Sequence, residues 1–366
     1  MSNSTLLPGV STDFDGTRLN VARRLRGMTK AELARALDLT PTSIAQFEKG
    51  ARPTQATLAK TCLILGFPRD FFSSGGSPVT PLPAASAHFR SLRSTTAKAR
   101  EQVLAYGELC LQLVELVSQY VDLPVVDLPE YPLPEDVTGE VAAEAAALVR
   151  ARWQLAAGPV PSVVRLLEAH GVVVLRLPPG TDRRVDAFST FSGSRPLVFL
   201  SAAKEDRARG RFDAAHELGH LMLHPDSEPG SKLLEQQANL FASEFLMPRE
   251  EIIDQLPQRV DWPKFHALKK HWGVSLRALV YRAHALGKLS EASYRRANQQ
   301  LSAWGHPEPG ALGAAESAQL IGLARALLID SGVDFDALLA QARLAVDITQ
   351  DVIEAGSDDK PKLNLT

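Results

Sequence analysis

The sequence lacks several features that would define its class at once. Only two of its 366 residues are cysteine, Cys62 and Cys110, and they lie in unrelated segments. A disulfide scaffold and a cysteine-based zinc site are therefore not expected, and a reducing compartment fits this count. No apolar run approaches the roughly 20 residues of a membrane-spanning helix, and no secretory apolar segment follows Met1. We expect a cytoplasmic protein that has no membrane partner.

An excess of one charge is also absent. Lys and Arg together number 40 and Asp and Glu 42, which gives a formal net charge of -2. The chain as a whole is therefore not an electrostatic nucleic-acid binder, and any such surface must be local. An apolar fraction of 45% is usual for a folded globular chain, and the length predicts two or three domains.

Positive charge is concentrated near the amino terminus. Between Arg18 and Lys60 the sequence has nine Lys or Arg residues and three acidic ones, which favours an anionic partner for this segment. The same stretch predicts a series of short helices. Thr29 and Glu32 have the spacing of a capping box, and Pro41 follows a threonine at the expected start of another helix.

The stretch Lys30–Gly66, and above all its segment Glu48–Pro53 with the pattern E-K-G-x-x-P, resembles the XRE-type, lambda-repressor-like helix-turn-helix family. The resemblance implies that one helix enters the major groove of double-stranded DNA. The side chains that would contact bases or phosphates are Thr42, Ser43, Gln46, Lys49 and Arg52. The family often has glycine at the turn, where this chain has Asp38, a residue that tolerates turn conformations. A homodimer is expected because such readers usually pair half-sites; a plain helical domain with a solvated basic surface is the alternative.

A second motif lies on a helix predicted over 207–224, where His216, Glu217 and His220 form an H-E-x-x-H pattern. Histidines four residues apart share one helix face, so both can reach a single metal ion. Glu217 lies at the edge of that face, where it can contact a water on the metal without being a ligand. Gly219 is unfavourable in a helix by about 1 kcal/mol, which predicts the close approach of another element. A chance motif on a solvated helix is the alternative interpretation.

Residues 150–300 resemble the ImmA/IrrE metallopeptidase family through R-x-R-F-x-x-A-H-E-L-G-H followed by E-x-x-x-N-x-F-A-x-x-F-L-M-P. The resemblance implies that Glu235 is the third ligand of a Zn²⁺ ion, with Mn²⁺ or another divalent metal as an alternative cofactor. Glu244 and Glu228 are competing ligand candidates. The implied chemistry is peptide hydrolysis, in which zinc lowers the pKa of a water to about 7. Glu217 takes the proton and passes it to the leaving amine.

Other polar side chains near these motifs have candidate supporting roles. Asn239, Asp213 and His224 are expected to orient the metal ligands through hydrogen bonds, and His224 is also an alternative ligand. A side chain that stabilises the oxyanion is required, and the candidates for it are His224, Arg211 and Tyr281.

Composition and periodicity divide the chain into successive segments. We predict a tail (1–17), a helix-turn-helix domain (18–72), a Gly/Ser/Pro-rich linker (73–87), a helical connector (88–160), a metallopeptidase-like domain (161–300), C-terminal helices (301–356) and a disordered tail (357–366). Three apolar runs at 172–179, 185–191 and 196–201 predict a small antiparallel sheet. The expected fold is therefore mainly α with a small β-sheet, of the α+β class. Whether the last helices pack on the metallopeptidase-like domain or mediate dimerisation is left open.

Together the two motifs predict a DNA-binding transcriptional regulator that carries a zinc-dependent endopeptidase domain. The family resemblance implies one specific cut in a partner regulator, a repressor or antirepressor, in a stress or mobile-element response. The alternative is a non-proteolytic transcription factor or antitoxin-like regulator whose peptidase-like domain senses a ligand or binds metal. A helical DNA-binding protein with an incidental H-E-x-x-H is a third interpretation.

Overall fold

The computed structural model describes residues 13–82, 96–131, 138–178, 181–182, 185, 187–201, 206–224, 231–305 and 307–356. The elements, in chain order, are helices α1 (Gly16–Leu25), α2 (Lys30–Ala36), α3 (Pro41–Glu48), α4 (Gln55–Leu65), a short 3-10 helix (Arg69–Phe72), α5 (Ala97–Ser118), α6 (Gly139–Arg152), α7 (Val163–Ala169), strands β1 (Val173–Leu177), β2 (Ala187–Ser192) and β3 (Arg195–Ser201), and helices α8 (Arg207–Leu223), α9 (Lys232–Leu246), α10 (Arg249–Ile252), α11 (Trp262–Trp272), α12 (Leu276–Ala285), α13 (Glu291–Trp304), α14 (Leu320–Asp330), α15 (Phe335–Gln341) and α16 (Val346–Gly356). The predicted mainly α fold with a small sheet is confirmed.

The chain forms two compact units. The first comprises Met1–Ala84, Arg93–Asp122 and Ile321–Glu354; the second comprises Ala85–Leu92, Leu123–Leu320 and Ala355–Thr366. Parts of several predicted segments lie outside the described residues: 1–12 of the tail, 83–87 of the linker, 88–95 and 132–137 of the connector, and the whole tail 357–366. In the part of the chain that the structure describes, no helix has both the length and the apolar character needed to cross a bilayer.

Local capping signals determine the short helices of the first unit. The Thr29 hydroxyl accepts a hydrogen bond from Glu32 N, and the Glu32 carboxylate accepts one from Thr29 N, so the predicted capping box is present. Thr40 caps α3, with Pro41 as its first residue. Between these helices Asp38 has a φ of 58°, the left-handed conformation that a glycine adopts more easily.

Buried arginines join the helices of the first unit. Arg23 Nε lies 2.6 Å from Glu48 Oε1, which ties α1 to the end of α3. Arg24 Nη1 lies 2.8 Å from Glu108 Oε2 on α5. Arg18 is only 1% exposed and donates to two backbone carbonyls. Three of the nine cations counted in the sequence are therefore internal and are not part of a surface for an anionic partner. Buried cations need paired acceptors, and these arginines have them.

The last helices belong to the first unit and not to the unit that contains the metallopeptidase-like domain. Arg18 Nη1 donates to Arg343 O at 2.6 Å, next to the end of α15. Arg26 Nη2 lies 3.4 Å from Asp347 Oδ2 in α16. The backbone supplies a further link, because Ser77 N donates to Ala342 O at 3.2 Å. The helix-turn-helix segment and α15–α16 therefore share one folded body.

The second unit contains a three-stranded sheet in the order β1-β3-β2. β3 is antiparallel to β2 but parallel to β1, so the prediction of an antiparallel sheet is wrong for one of the two pairs. The reason is that the chain turns tightly after β2, at Gly193 with φ of 56°, and β3 then enters between the other two strands. β3 is the central strand, and Leu197, Val198 and Phe199 within it are fully buried.

Candidate functional site

Helix α8 is the element on which the candidate metal centre is built. The Asp206 side chain caps its first turn by accepting from Arg209 N at 3.0 Å. One side of the helix packs on β2 and β3, and another side packs on α9. A Cβ atom added at Gly219 would lie 3.2 Å from the Ala238 Cα atom and 3.1 Å from Phe241 Cδ1 on α9. The absent side chain thus allows α9 to approach the two histidines closely.

The side chains of His216, His220 and Glu235 converge. His216 Nε2 lies 3.1 Å from His220 Nε2. Glu235 Oε2 lies 3.3 Å from His216 Nε2, and Glu235 Oε1 lies 3.5 Å from His220 Nε2. Ligand atoms about 2.0–2.1 Å from one tetrahedral Zn²⁺ are about 3.3 Å apart, so this set fits zinc. Both histidines are buried, whereas the Glu235 side chain is 21% exposed.

The carboxylate is adapted to this position. Burial raises the pKa of Glu235, but hydrogen bonds and charge from His216 and His220 outweigh burial and hold the pKa well below its ordinary value. A carboxylate that stays ionised at neutral pH is the form that binds a divalent cation. The donor set of two imidazoles and one carboxylate is one of the sets found in catalytic zinc sites.

The second nitrogen of each imidazole is also engaged. His216 Nδ1 lies 3.1 Å from Asn239 Oδ1, and His220 Nδ1 lies 3.0 Å from His224 Nδ1. The structure therefore places Asn239 and His224 in contact with the histidines that they were expected to orient. Asp213 is buried too, and its carboxylate lies 3.7 Å from Arg209 Nε, one turn back along α8.

Glu217 is fully buried beside this cluster, and a strand residue holds it. Ser189 Oγ on β2 donates to Glu217 Oε2 at 2.7 Å. Sequence reasoning missed Ser189, and it also missed Gln237, whose Oε1 lies 2.8 Å from His224 Nε2. The available signal for Ser189 was a polar residue inside an apolar strand next to the metal helix. Gln237 lies two positions after Glu235 and gave no such signal.

Glu244, an alternative metal ligand, and Arg211, a candidate for stabilising the oxyanion, both contact other residues of the second unit. Glu244 accepts from Arg249 N at 2.7 Å and pairs with Arg282. Arg211, a candidate for the oxyanion, forms a salt bridge with Glu316 and donates to Val160 O at 2.6 Å. Tyr281 is a partly exposed residue of α12. Glu228 lies outside the described residues.

The candidate DNA surface lies on and after α3. Thr42, Gln46, Lys49 and Arg52 are all exposed. Ser43 differs, because it is half-buried and its Oγ lies 2.9 Å from Thr40 Oγ. Its hydroxyl is therefore hydrogen-bonded to the side chain that caps α3. The remaining exposed cations of the predicted helix-turn-helix domain are Arg26, Lys30, Arg35, Lys60 and Arg69.

These two arrangements define the class of the protein, a helix-turn-helix protein that also carries a peptidase-like domain. Comparison with family models agrees. Residues 20–72 match the model described as helix-turn-helix, and residues 167–284 match the model described as IrrE N-terminal-like domain. The two matches occur in the predicted order, so both resemblances are confirmed. The first indicates a DNA-binding regulator, and the second indicates a peptidase-like domain. None of the curated proteins compared with the chain matches it significantly.

Proposed function

We propose that this protein is a DNA-binding transcriptional regulator whose second unit is a zinc-dependent endopeptidase. Its action is one specific cut in a partner regulator, a repressor or antirepressor, in a stress or mobile-element response. The observation that carries the proposal is the convergence of His216, His220 and Glu235 next to Glu217, in a chain that also has a helix-turn-helix domain.

In this proposal His216 Nε2, His220 Nε2 and one oxygen of Glu235 hold the zinc ion. Zinc, when bound, supplies a Lewis acid that polarises a peptide carbonyl and activates water. Ser189 Oγ orients the Glu217 carboxylate through the 2.7 Å hydrogen bond to Oε2. Glu217 accepts a proton from the attacking water and then donates it to the nitrogen of the leaving amine. The peptide C–N bond breaks, and the products are a carboxylate and an amine.

The first unit supplies DNA binding in this proposal. Thr42 and Gln46 are exposed on α3, the helix that the resemblance places in the major groove, and Lys49 and Arg52 follow its end. Polar side chains such as Thr42 and Gln46 contact base edges, and basic side chains such as Lys49 and Arg52 bind phosphates. Ser43, half-buried on the same helix, belongs to the same proposed surface. Binding to DNA brings the peptidase close to other regulators bound there, which favours a regulatory cut over general digestion.

The substitution Glu217→Gln tests the catalytic assignment. We expect cleavage of a repressor encoded beside this protein to slow by about 10²–10⁴-fold, the usual contribution of a general base, while zinc binding persists. Glu250→Gln is the matched control, since Glu250 is exposed on α10. Zinc content and the rate of repressor cleavage, followed by gel electrophoresis, are measured on the purified full-length proteins. Equal cleavage by wild type and Glu217→Gln would refute the role of Glu217.

One observation favours the non-proteolytic alternative. His216 and Glu217 are 0% exposed and His220 is 1% exposed, whereas Glu235 is 21% exposed, so among these four residues solvent reaches the centre at the Glu235 side chain. A metal-sensing regulator has to admit only a metal ion to this site and not a protein substrate. In that case zinc alters the affinity for operator DNA, and no partner is cleaved. Measuring operator binding with and without zinc, alongside the cleavage assay, separates the two functions.

A further inference from the structure

A buried chain of hydrogen bonds leads from α9 to one of the histidines of the candidate metal centre. Gln237 Oε1 lies 2.8 Å from His224 Nε2, and His224 Nδ1 lies 3.0 Å from His220 Nδ1. All three side chains are at most 3% exposed. His216, by contrast, reaches an amide oxygen directly, that of Asn239. His220 is therefore linked to its amide through a second imidazole.

The chemistry of imidazole gives this chain a direction. A neutral imidazole has one nitrogen that donates and one that accepts. If His220 Nε2 binds a metal, its Nδ1 must carry the proton and donate it to His224 Nδ1. His224 is then protonated on Nε2, which donates to Gln237 Oε1. Every contact in the chain is satisfied when the Gln237 carbonyl oxygen faces His224.

Hydrogen bonds donated in the opposite direction, from Gln237 towards His220, prevent His220 Nε2 from binding a metal. If the Gln237 amide is rotated, its NH₂ group donates to His224 Nε2. His224 then carries its proton on Nδ1 and donates it to His220 Nδ1. His220 must hold its own proton on Nε2, the nitrogen that faces Glu235 at 3.5 Å. The orientation of one amide thus decides which nitrogen of His220 has a lone pair.

We propose that Gln237 and His224 are positioning residues that set the tautomer of His220 and so couple metal binding to the orientation of the Gln237 amide. The proposal rests on the metal centre of the proposed function. In this proposal His224 connects Gln237 to His220 through two hydrogen bonds and is not a fourth metal ligand. Partners of metal-bound histidines typically change metal affinity by about 10–100-fold when they are removed, which sets the expected size of the effect.

Substitutions at Gln237 test the coupling. Gln237→Met keeps the length of the side chain but removes the acceptor, and we expect zinc to bind about 10–100-fold more weakly. Gln237→Glu keeps an acceptor and has no amide to rotate, so it should bind zinc more tightly than Gln237→Met and close to wild type. Gln236→Met is the control, because Gln236 is exposed at the neighbouring position. Zinc affinity is measured by competition with a chromophoric chelator on the full chain.

Nitrogen-15 NMR of the zinc-loaded wild type gives a readout that needs no variant. The proposal requires a proton on Nδ1 of His220 and on Nε2 of His224. A His224 proton on Nδ1, or equal zinc affinity in Gln237→Met, Gln236→Met and wild type, would overturn it. Equal weakening by Gln237→Met and Gln237→Glu would also overturn it, since that indicates packing alone. Failure of the metal centre itself is distinguishable, because wild type and His216→Ala would then bind zinc equally poorly.

Discussion

The close contact of α8 with α9 at Gly219 leads to a quantitative prediction for Gly219→Ala. Alanine is favoured over glycine in a helix by about 1 kcal/mol. The added Cβ, however, would lie 3.2 Å from Ala238 Cα and 3.1 Å from Phe241 Cδ1. The Ala238 atom belongs to the backbone of α9 and cannot rotate away. Overpacking of this kind costs about 1–3 kcal/mol, so the free energy of unfolding should stay unchanged or fall by up to about 2 kcal/mol.

Gly210→Ala is the matched control in the same helix. A Cβ at Gly210 meets no atom within 4 Å, so this variant should keep only the gain in helix propensity, up to about 1 kcal/mol. Urea unfolding of both variants gives the packing cost as the difference between them. Gly219→Ala should also bind zinc more weakly, because the displacement of α9 moves Glu235 away from the histidines. If Gly219→Ala stabilises as much as Gly210→Ala does, the argument that glycine is needed for the close approach is refuted.

Two further predictions concern pH and salt. Burial raises the pKa of Glu168 to about 7, against the hydrogen bonds from Leu320 N and Gln319 N that lower it. A raised carboxyl pKa gives a contribution to stability that is complete below the unfolded value of 4.5 and is lost as pH rises through about 7. Between pH 4.5 and about pH 7 the free energy of unfolding of wild type should therefore fall by about 3 kcal/mol more than that of Glu168→Gln. Urea unfolding at a series of pH values measures this difference, and equal pH profiles for the two proteins would contradict the prediction. For DNA binding, Lys49→Ala should reduce the magnitude of the slope of log affinity against log salt concentration by the amount that corresponds to about one phosphate contact. The reduction should be the same for DNA of different sequences. Fluorescence anisotropy measures this slope, with Lys270→Ala as control because Lys270 is exposed in the second unit; an unchanged slope for Lys49→Ala would remove Lys49 from the DNA surface.

Short-range signals in the sequence were reliable guides to local structure. The capping box at Thr29 and Glu32 and the start of α3 at Pro41 are present as predicted, because each involves groups within one helical turn. The same holds for His216 and His220, whose spacing of four residues places their Nε2 atoms 3.1 Å apart on α8. Such patterns depend on helix geometry alone, which the chain adopts wherever a helix forms.

Long-range pairing was not readable in the same way. The arginines counted in the local basic excess include Arg23 and Arg24, which are buried against Glu48 and Glu108. The strand pattern showed three strands but not that β3 lies between β1 and β2. Burial of a charge and the order of strands depend on which distant element supplies the partner. Periodicity along one segment contains no information about that partner.

By itself, the sequence determined the two kinds of domain, their order and Glu235 as a ligand candidate through the two family resemblances. It also placed His216 and His220 on one helix face, because a spacing of four residues fixes which side chains of a helix share a face. Tertiary structure alone decided that Ser189 holds Glu217 and that Gln237 reaches His220 through His224. It also decided that the last helices belong with the helix-turn-helix segment. These contacts join residues on different elements, and only packing, which buries their polar atoms and requires partners for them, brings those elements together.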